Sequence, residues 1–328
     1  MDWNELYNLG LGLFEKATAF FDEALEMKPD PQACYNEGVA LGNSGKFQEA
    51  IASYDKALEI KPNYHEAWNN RGNAMNNLGL FEEALASCDK ALKIKPDCHL
   101  AWFNRGVALG NLGLFEEALA SCDKALEIKP DLHEAWYNRG DALGNLGRWE
   151  EALASLDKAL EIKPDFHLAW DNRGRALANL ERFEAAITSW DKALEIKPDY
   201  HEAWNNRGNA MNNLGLFEAA IASCDKALEI KPDYYEAGLN RGNALASLGR
   251  LEEALASYDQ ALEFKPDLHA AFYNKACCYG LQSQIDPAIQ NLQQAINLNP
   301  DQYREMAKTD SGFDSIRSHT RFQALIQE

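Results

Sequence analysis

The chain has 328 residues, 46% of them apolar and 25% charged, enough apolar matter for a folded core and too much for a chain disordered by composition. With 51 acidic against 32 basic side chains the formal charge is -19, so there is no basic stripe of the kind that nucleic acid or an anionic membrane requires. That charge favours solubility and neutral or basic partners.

The chain opens Met1-Asp2-Trp3-Asn4-Glu5 without a basic leader region, and no stretch approaches the length of a membrane span, so it reads as cytoplasmic. From Leu13 to Met27 it resembles the second half of a unit that recurs further on, and residues 1–30 are therefore read as a degenerate N-terminal repeat or cap. From Pro31 the sequence reproduces itself every 34 residues, in blocks starting at Pro31, His65, His99, His133, His167, His201, Tyr235 and His269 and ending at Gln302. Self-similarity at such a period marks a stacked array of small units. Positions are numbered 1–34 within each unit, His65 being position 1. Trp68, Trp102, Trp136, Trp170 and Trp204 share position 4, and a glycine holds position 8 from Gly38 to Gly242. A proline, from Pro62 to Pro300, holds position 32 of every unit.

One unit reads as two helices. Ala67, Trp68, Ala74, Met75 and Leu78 recur at helical spacing and predict a first helix, A, over 67–78. Gly79 ends it, being able to adopt a left-handed backbone. A second helix, B, is predicted over 81–94, with Phe81, Ala84, Leu85, Cys88, Ala91 and Leu92 on one face and Pro96 barring continuation. Asp131 to Glu134, Asp199 to Glu202 and Asp233 to Glu236 have capping-box spacing for the next helix A. A lone hairpin of this kind cannot bury its apolar face, so the array is stable only when stacked and sealed at its ends. Residues 303–328 break the period, and Met306, Phe313, Ile316, Phe322, Leu325 and Ile326 suggest capping helices there, on the last helix B.

The pattern resembles the tetratricopeptide repeat family, carried in one unit by Trp68, Gly72, Ala84, Ala91 and Pro96. Arg71, Met75 and Cys88 depart from it, standing where Leu, Tyr and Phe are usual. The resemblance covers residues 31–302 as eight tandem repeats. It implies an all-α, right-handed superhelical solenoid of 34-residue helix-turn-helix repeats. It also implies a non-catalytic scaffold that binds an extended segment of a partner protein in a concave groove lined by helices A.

Positions 2, 6, 9 and 13 share one face of helix A. Position 6 is asparagine in every unit: Asn36, Asn70, Asn104, Asn138, Asn172, Asn206, Asn240 and Asn274. Position 13 is asparagine in six, Asn43, Asn77, Asn111, Asn145, Asn179 and Asn213. Asparagine is a poor residue for a helix interior, because it competes for backbone hydrogen bonds. An amide offers two donors and an acceptor and can pair with a peptide backbone of any sequence. The resemblance suggests such an asparagine ladder along the groove. The alternatives are that position 6 bonds across repeats and stiffens the array, and that position 13 is a local cap. Preference among ligands is expected at positions 2, 5, 9 and 12, chiefly at Phe103, Tyr137, Asp141, Asp171 and Arg175 in the middle of the chain. Among positions 2, 5 and 9 only Arg175 is cationic, which speaks against the two-carboxylate clamp of chaperone-binding relatives. Repeats two and six differ at only four positions, Glu83/Ala219, Leu85/Ile221, Lys93/Glu229 and Cys98/Tyr234, as a duplicated block would.

Other residue types yield to packing. Histidines at position 1 recur one helix spacing apart, about 8–10 Å, too far to share a metal, so no metal or cofactor is expected. Cys88, Cys122 and Cys224, all at position 24, read as small core residues. Arg at position 7 and Asp at position 25 suggest an ion-pair ladder that breaks down at Lys275 and Gln293. No phosphate loop, nucleophile elbow or zinc-helix motif is present, so no enzyme is expected. Two other roles remain open: self-association through the solenoid ends, and a regulatory array serving a larger effector or assembly system.

Overall fold

A computed structural model of the chain describes residues 30–327 together with Asp2 and Lys16. The expected N-terminal half-repeat therefore lies almost wholly outside the described residues. The chain divides into two compact units at Pro164/Asp165, in the turn that links the fourth hairpin to the fifth. The first holds four helical hairpins: α1 (Pro31–Asn43) with α2 (Phe47–Ile60), α3 (His65–Asn77) with α4 (Phe81–Ile94), α5 (His99–Asn111) with α6 (Phe115–Ile128), and α7 (His133–Asn145) with α8 (Trp149–Ile162). The second holds four more: α9 (His167–Asn179) with α10 (Phe183–Ile196), α11 (His201–Asn213) with α12 (Phe217–Ile230), α13 (Tyr235–Ser247) with α14 (Leu251–Phe264), and α15 (His269–Leu281) with α16 (Ile285–Leu298). It ends in α17 (Pro300–Thr309), a 3-10 turn at Ser311–Phe313, and α18 (Thr320–Gln327). All these elements are helical, as the repeat pattern requires.

Helix B coincides with its predicted bounds, whereas helix A starts at His65 and ends at Asn77, two residues earlier than expected at its start and one at its end. The predicted capping boxes do not form. The N-cap residues Leu132, Tyr200 and Tyr234 make no side-chain cap hydrogen bond. Position 34 spends its side chain on burial instead: Tyr64, Leu132 and Leu268 are all in the core. Between helices A and B, six glycines from Gly45 to Gly249 turn the chain at φ between +72° and +79°. Glu181 and Ser283 take the same left-handed conformation at φ +58° without that freedom.

Close approach of the two helices follows from small residues. Ala67, Ala84 and Ala91 are fully buried and Ala74 nearly so, and the same four positions are filled alike in repeats three to seven. Glycine at position 8 makes room for the side chain at position 24. A Cβ at Gly72 would stand 2.7 Å from Cys88 Sγ, and one at Gly242 would stand 2.4 Å from the Tyr258 ring. The position-24 thiols lie in this seam, and burial pushes Cys88, Cys122 and Cys224 up to about 12, which makes them unreactive.

The arginine of position 7 ties three elements together. Arg71 Nε pairs with Asp55 of the preceding helix B at 2.6 Å, and its Nη1 donates to Ser87 of its own helix B at 2.6 Å. Arg105, Arg139, Arg207 and Arg241 repeat both bonds. The guanidinium lies near the position-4 indole wherever that repeat has one, as Arg71 does over Trp68 at 5.6 Å, whereas Arg241 has Gly238 at that position. That indole N–H in turn donates to the position-32 proline carbonyl of the preceding repeat, Trp68 to Pro62 at 2.9 Å. The expected breakdown at Lys275 does not occur, since its ammonium still pairs with Asp259. Gln293 ends the series because no further repeat follows it.

The C-terminal segment caps more than the last helix B. Ile289, Leu292 and Ile296 of α16 join Tyr303, Phe313, Ile316 and Phe322 in one buried cluster that also takes in Tyr273 and Ala276 of α15. The cap thus covers helix A of the eighth repeat as well, and Tyr273 stacks on Tyr303 with centroids 4.8 Å apart.

Candidate functional site

The face of helix A singled out by its asparagines is built from amides that first serve one another. Asn104 Nδ2 donates to Asn69 Oδ1 at 3.0 Å, Asn240 to Asn205 at 2.9 Å and Asn206 to Asp171 at 3.3 Å. Asn70 donates to the Tyr35 hydroxyl at 3.1 Å. In each case position 6 of one repeat reaches position 5 of the repeat before it. Asn274 instead donates to Asn243 at position 9, at 2.7 Å. Asn36 accepts from Gln32, and Asn172 accepts from Arg175. Asn104 and Asn172 are buried, while Asn70, Asn138, Asn206, Asn240 and Asn274 stay half-exposed and Asn36 exposed. An amide has two N–H groups and an oxygen with two acceptor sites. One inter-repeat bond therefore leaves the half-exposed members with capacity for another polypeptide.

Position 13 behaves as a local cap. Asn77, Asn111, Asn145, Asn179 and Asn213 each donate to the carbonyl four residues earlier at 2.9 Å and are exposed. Position 5 is drawn further inside than its sequence suggests. Phe103 packs against the cluster of Leu126, Leu132 and Ala135. Asp171 is 6% exposed and accepts from Trp190 Nε1 at 2.8 Å, Tyr200 Oη at 3.2 Å and Asn206 Nδ2. Burial raises its pKa above the usual carboxylate value, against the pull of those donors and of Arg175. Tyr137 is half-buried. Of the five expected specificity residues, Asp141 and Arg175, both at position 9, line open clefts.

These clefts recur with the repeat. Between α5 and α7 a space of about 130 Å³ is lined by Val107, Gly110, Asn111, Asn138, Asp141 and Ala142. Between α9 and α11 one of about 210 Å³ is lined by Arg175, Ala178, Asn179, Asn206, Asn209 and Asn213, over Phe183 and Trp190. A third, of about 420 Å³, lies between α13 and α15 and runs on to Asp310, Ser311 and Gly312 of the C-terminal turn. All three have positions 9, 12 and 13 of one helix A on one wall and positions 6, 9 and 10 of the next on the other.

Position 12 is small on the wall of each of these clefts: Gly110, Ala178 and Ala246. In repeats two and six the residue is asparagine: Asn76 Nδ2 donates to the Asn104 carbonyl at 2.9 Å and Asn212 Nδ2 to the Asn240 carbonyl at 2.9 Å, bridging the gap. The identical helices A of these two repeats thus build identical straps, one in each unit. This role was not visible in the sequence, where position 12 varies. The signal was available: glycine in the helix interior at 110, with nothing within 4 Å of where its Cβ would be, costs helix stability with no packing reason.

At its C-terminal end this face is closed. The Tyr273 hydroxyl donates to Asp310 at 2.8 Å, the Cys277 thiol lies 3.6 Å from the same carboxylate, and Ser315 bonds to the Gly280 carbonyl. Burial, followed by that carboxylate, pushes the Cys277 thiol far up, which disfavours its thiolate. Position-1 histidines have protein partners, His65, for example, pairing with Glu66 at 2.9 Å and His269 with Tyr303 at 2.6 Å. Among the described residues no group of three or more His, Cys, Asp or Glu could hold a metal ion, and no helix is long and apolar enough to cross a membrane.

The sequence matches tetratricopeptide repeat profiles over residues 65–98, 99–132, 133–166, 172–235 and 269–302, and further TPR repeat profiles over 40–79 and 242–283. No curated protein matches the sequence significantly. Among solved structures, a chain of the APC/C hetero-tetramer Cut9–Hcn1 is 16% identical with a TM-score of 0.60, over 95% of this chain and 58% of that one. A tetratricopeptide repeat protein from Parabacteroides merdae is 18% identical with a TM-score of 0.56, over 75% and 97%. These two share the fold. YrrB, described as a TPR protein with an unusual peptide-binding site, is 27% identical over 55% of this chain and 93% of its own, with a TM-score of 0.47. With the profiles together spanning most of the sequence and the helical hairpins following the same period, the chain belongs to the tetratricopeptide repeat family.

Proposed function

We propose that the protein is a non-catalytic scaffold that holds an extended segment of a partner protein along the helix-A faces. The observation that carries this reading is the recurrence of open, amide-lined clefts at equivalent repeat positions in both units. A surface that repeats with the period of the array suits a ligand that is itself periodic, and an extended backbone is such a ligand. Asn138, Asn206 and Asn274 each face a cleft and bond to backbone groups of any sequence, while Asp141 and Arg175 add preference. Each amide bond contributes about 1 kcal/mol net. Ordering a flexible ligand costs about 2–5 kcal/mol. Micromolar affinity for one such segment needs about 8 kcal/mol net, so most of it must come from side-chain contacts in the clefts and the amides chiefly set register.

The test is affinity capture from cell extract, comparing wild type with Asn138→Ala/Asn206→Ala/Asn274→Ala after circular dichroism shows equal helix content. Partners lost by the triple variant support the groove as the binding surface. Partners kept equally by both proteins remove the amides from the binding role and leave them as inter-repeat ties.

A further inference from the structure

The cleft between α9 and α11 differs from the others in carrying a cation. Arg175 is exposed there, and it is the sole basic residue at positions 2, 5, 9, 12 or 13 of any repeat, in a chain of charge -19. Its guanidinium donates to the Asn172 amide oxygen at 2.9 Å, a neutral partner. No carboxylate stands within ion-pair distance of it among the described residues. The nearby carboxylate, Asp171, is turned inward and already accepts from Trp190, Tyr200 and Asn206. The rest of the lining is a floor of Phe183, Trp190, Ala178 and Ala210 beneath the amides of Asn179, Asn206, Asn209 and Asn213. A planar guanidinium with free donors, amide N–H groups beside it and apolar area below match one kind of side chain: a short methylene stem ending in a carboxylate.

We propose that this cleft is a specificity pocket for an acidic side chain, Glu in preference to Asp, on the bound polypeptide. The carboxylate pairs with Arg175, and the stem lies over Trp190 and Phe183. This inference rests on the polypeptide-binding reading above and supplies its ligand chemistry. In the cleft between α5 and α7 the equivalent position is Asp141, so that cleft rejects the same side chain.

The probe is the capped tripeptide acetyl-Gly-Glu-Gly-amide, with acetyl-Gly-Gln-Gly-amide as its neutral match. Eight tryptophans give eight indole N–H signals in a nitrogen–proton spectrum, and that of Trp190 is assigned by its loss in Trp190→Phe. The Glu peptide is expected to shift the Trp190 signal saturably, with the Gln peptide at least ~10-fold weaker, the worth of one charge-assisted pair. Arg175→Gln should remove the difference, and Arg175→Glu should transfer the response to acetyl-Gly-Lys-Gly-amide. A Trp190 signal that ignores the Glu peptide, or responds to Glu and Gln alike, or responds unchanged in Arg175→Gln, overturns the pocket. If that happens while the triple asparagine variant still loses its partners, acidic specificity falls and the scaffold reading stands.

Discussion

The same substitution, Gly to Ala within helix A, is expected to have opposite effects at two positions. At Gly242 an added Cβ would stand 2.4 Å from Tyr258 Cε1 and 2.8 Å from its Cζ. The ring is rigid, 1% exposed, and anchored by its hydroxyl to Asn243 at 3.0 Å, so it cannot swing away. Overpacking of this kind costs about 1–3 kcal/mol. Alanine's better helix propensity returns about 1 kcal/mol. Gly242→Ala should therefore destabilise by roughly 0–2 kcal/mol after that return, toward the upper end because the ring is anchored. Gly110 has nothing within 4 Å of its added Cβ, so only the propensity term acts. Gly110→Ala should stabilise by about 0.5–1 kcal/mol. In a unit of this size each kcal/mol moves the melting midpoint by about 2–4 °C. Thermal unfolding followed by far-ultraviolet circular dichroism reads both variants. A midpoint raised by Gly242→Ala, or lowered by Gly110→Ala, would refute the division of these glycines into a packing class and an open-cleft class.

Arg207→Ala should destabilise the second unit by about 1–2 kcal/mol, less than a buried ion pair would, because Asp191 is about half exposed; urea titration measures it. Ser223 loses its donor in that variant and Trp204 its cation neighbour. Asp171→Asn should stabilise the protein at neutral pH. The folded pKa of Asp171 is raised by burial, so its contribution is fully favourable below the ordinary carboxylate pKa and is lost as pH rises through the raised value. Melting curves of the two proteins should converge in acid and separate toward neutrality, wild type being the lower. Ser283→Gly should stabilise by about 0.5–1 kcal/mol by relieving a left-handed serine, net of glycine's unfolded-state entropy, in the same thermal assay.

Much of this structure is legible in the sequence because its main forces are periodic. Helix B, the left-handed glycines and the Arg–Asp ties all appear as residue types at fixed positions, each serving one neighbour at a fixed offset. What is not legible depends on pairing between unlike positions. Asn206 looks like a free groove amide until Asp171 is seen to hold it, and Asp171 looks like a surface charge until Trp190 and Tyr200 are seen around it. The failed capping boxes have a similar cause. Leu132 is worth more in the core than a polar cap is at the helix start, so Asp131 is left in the turn before it. The cap's reach onto α15 could not be read because residues 303–328 have no period to align.

The most direct test of the scaffold is a photo-activated crosslinking residue placed at Asn209, in the α9/α11 cleft, and separately at Lys226, exposed on helix B of the same repeat. The account predicts crosslinks to a partner polypeptide from position 209 and none from position 226. Crosslinks from 226 alone, or equally from both, would contradict it and move the binding surface off the helix-A face.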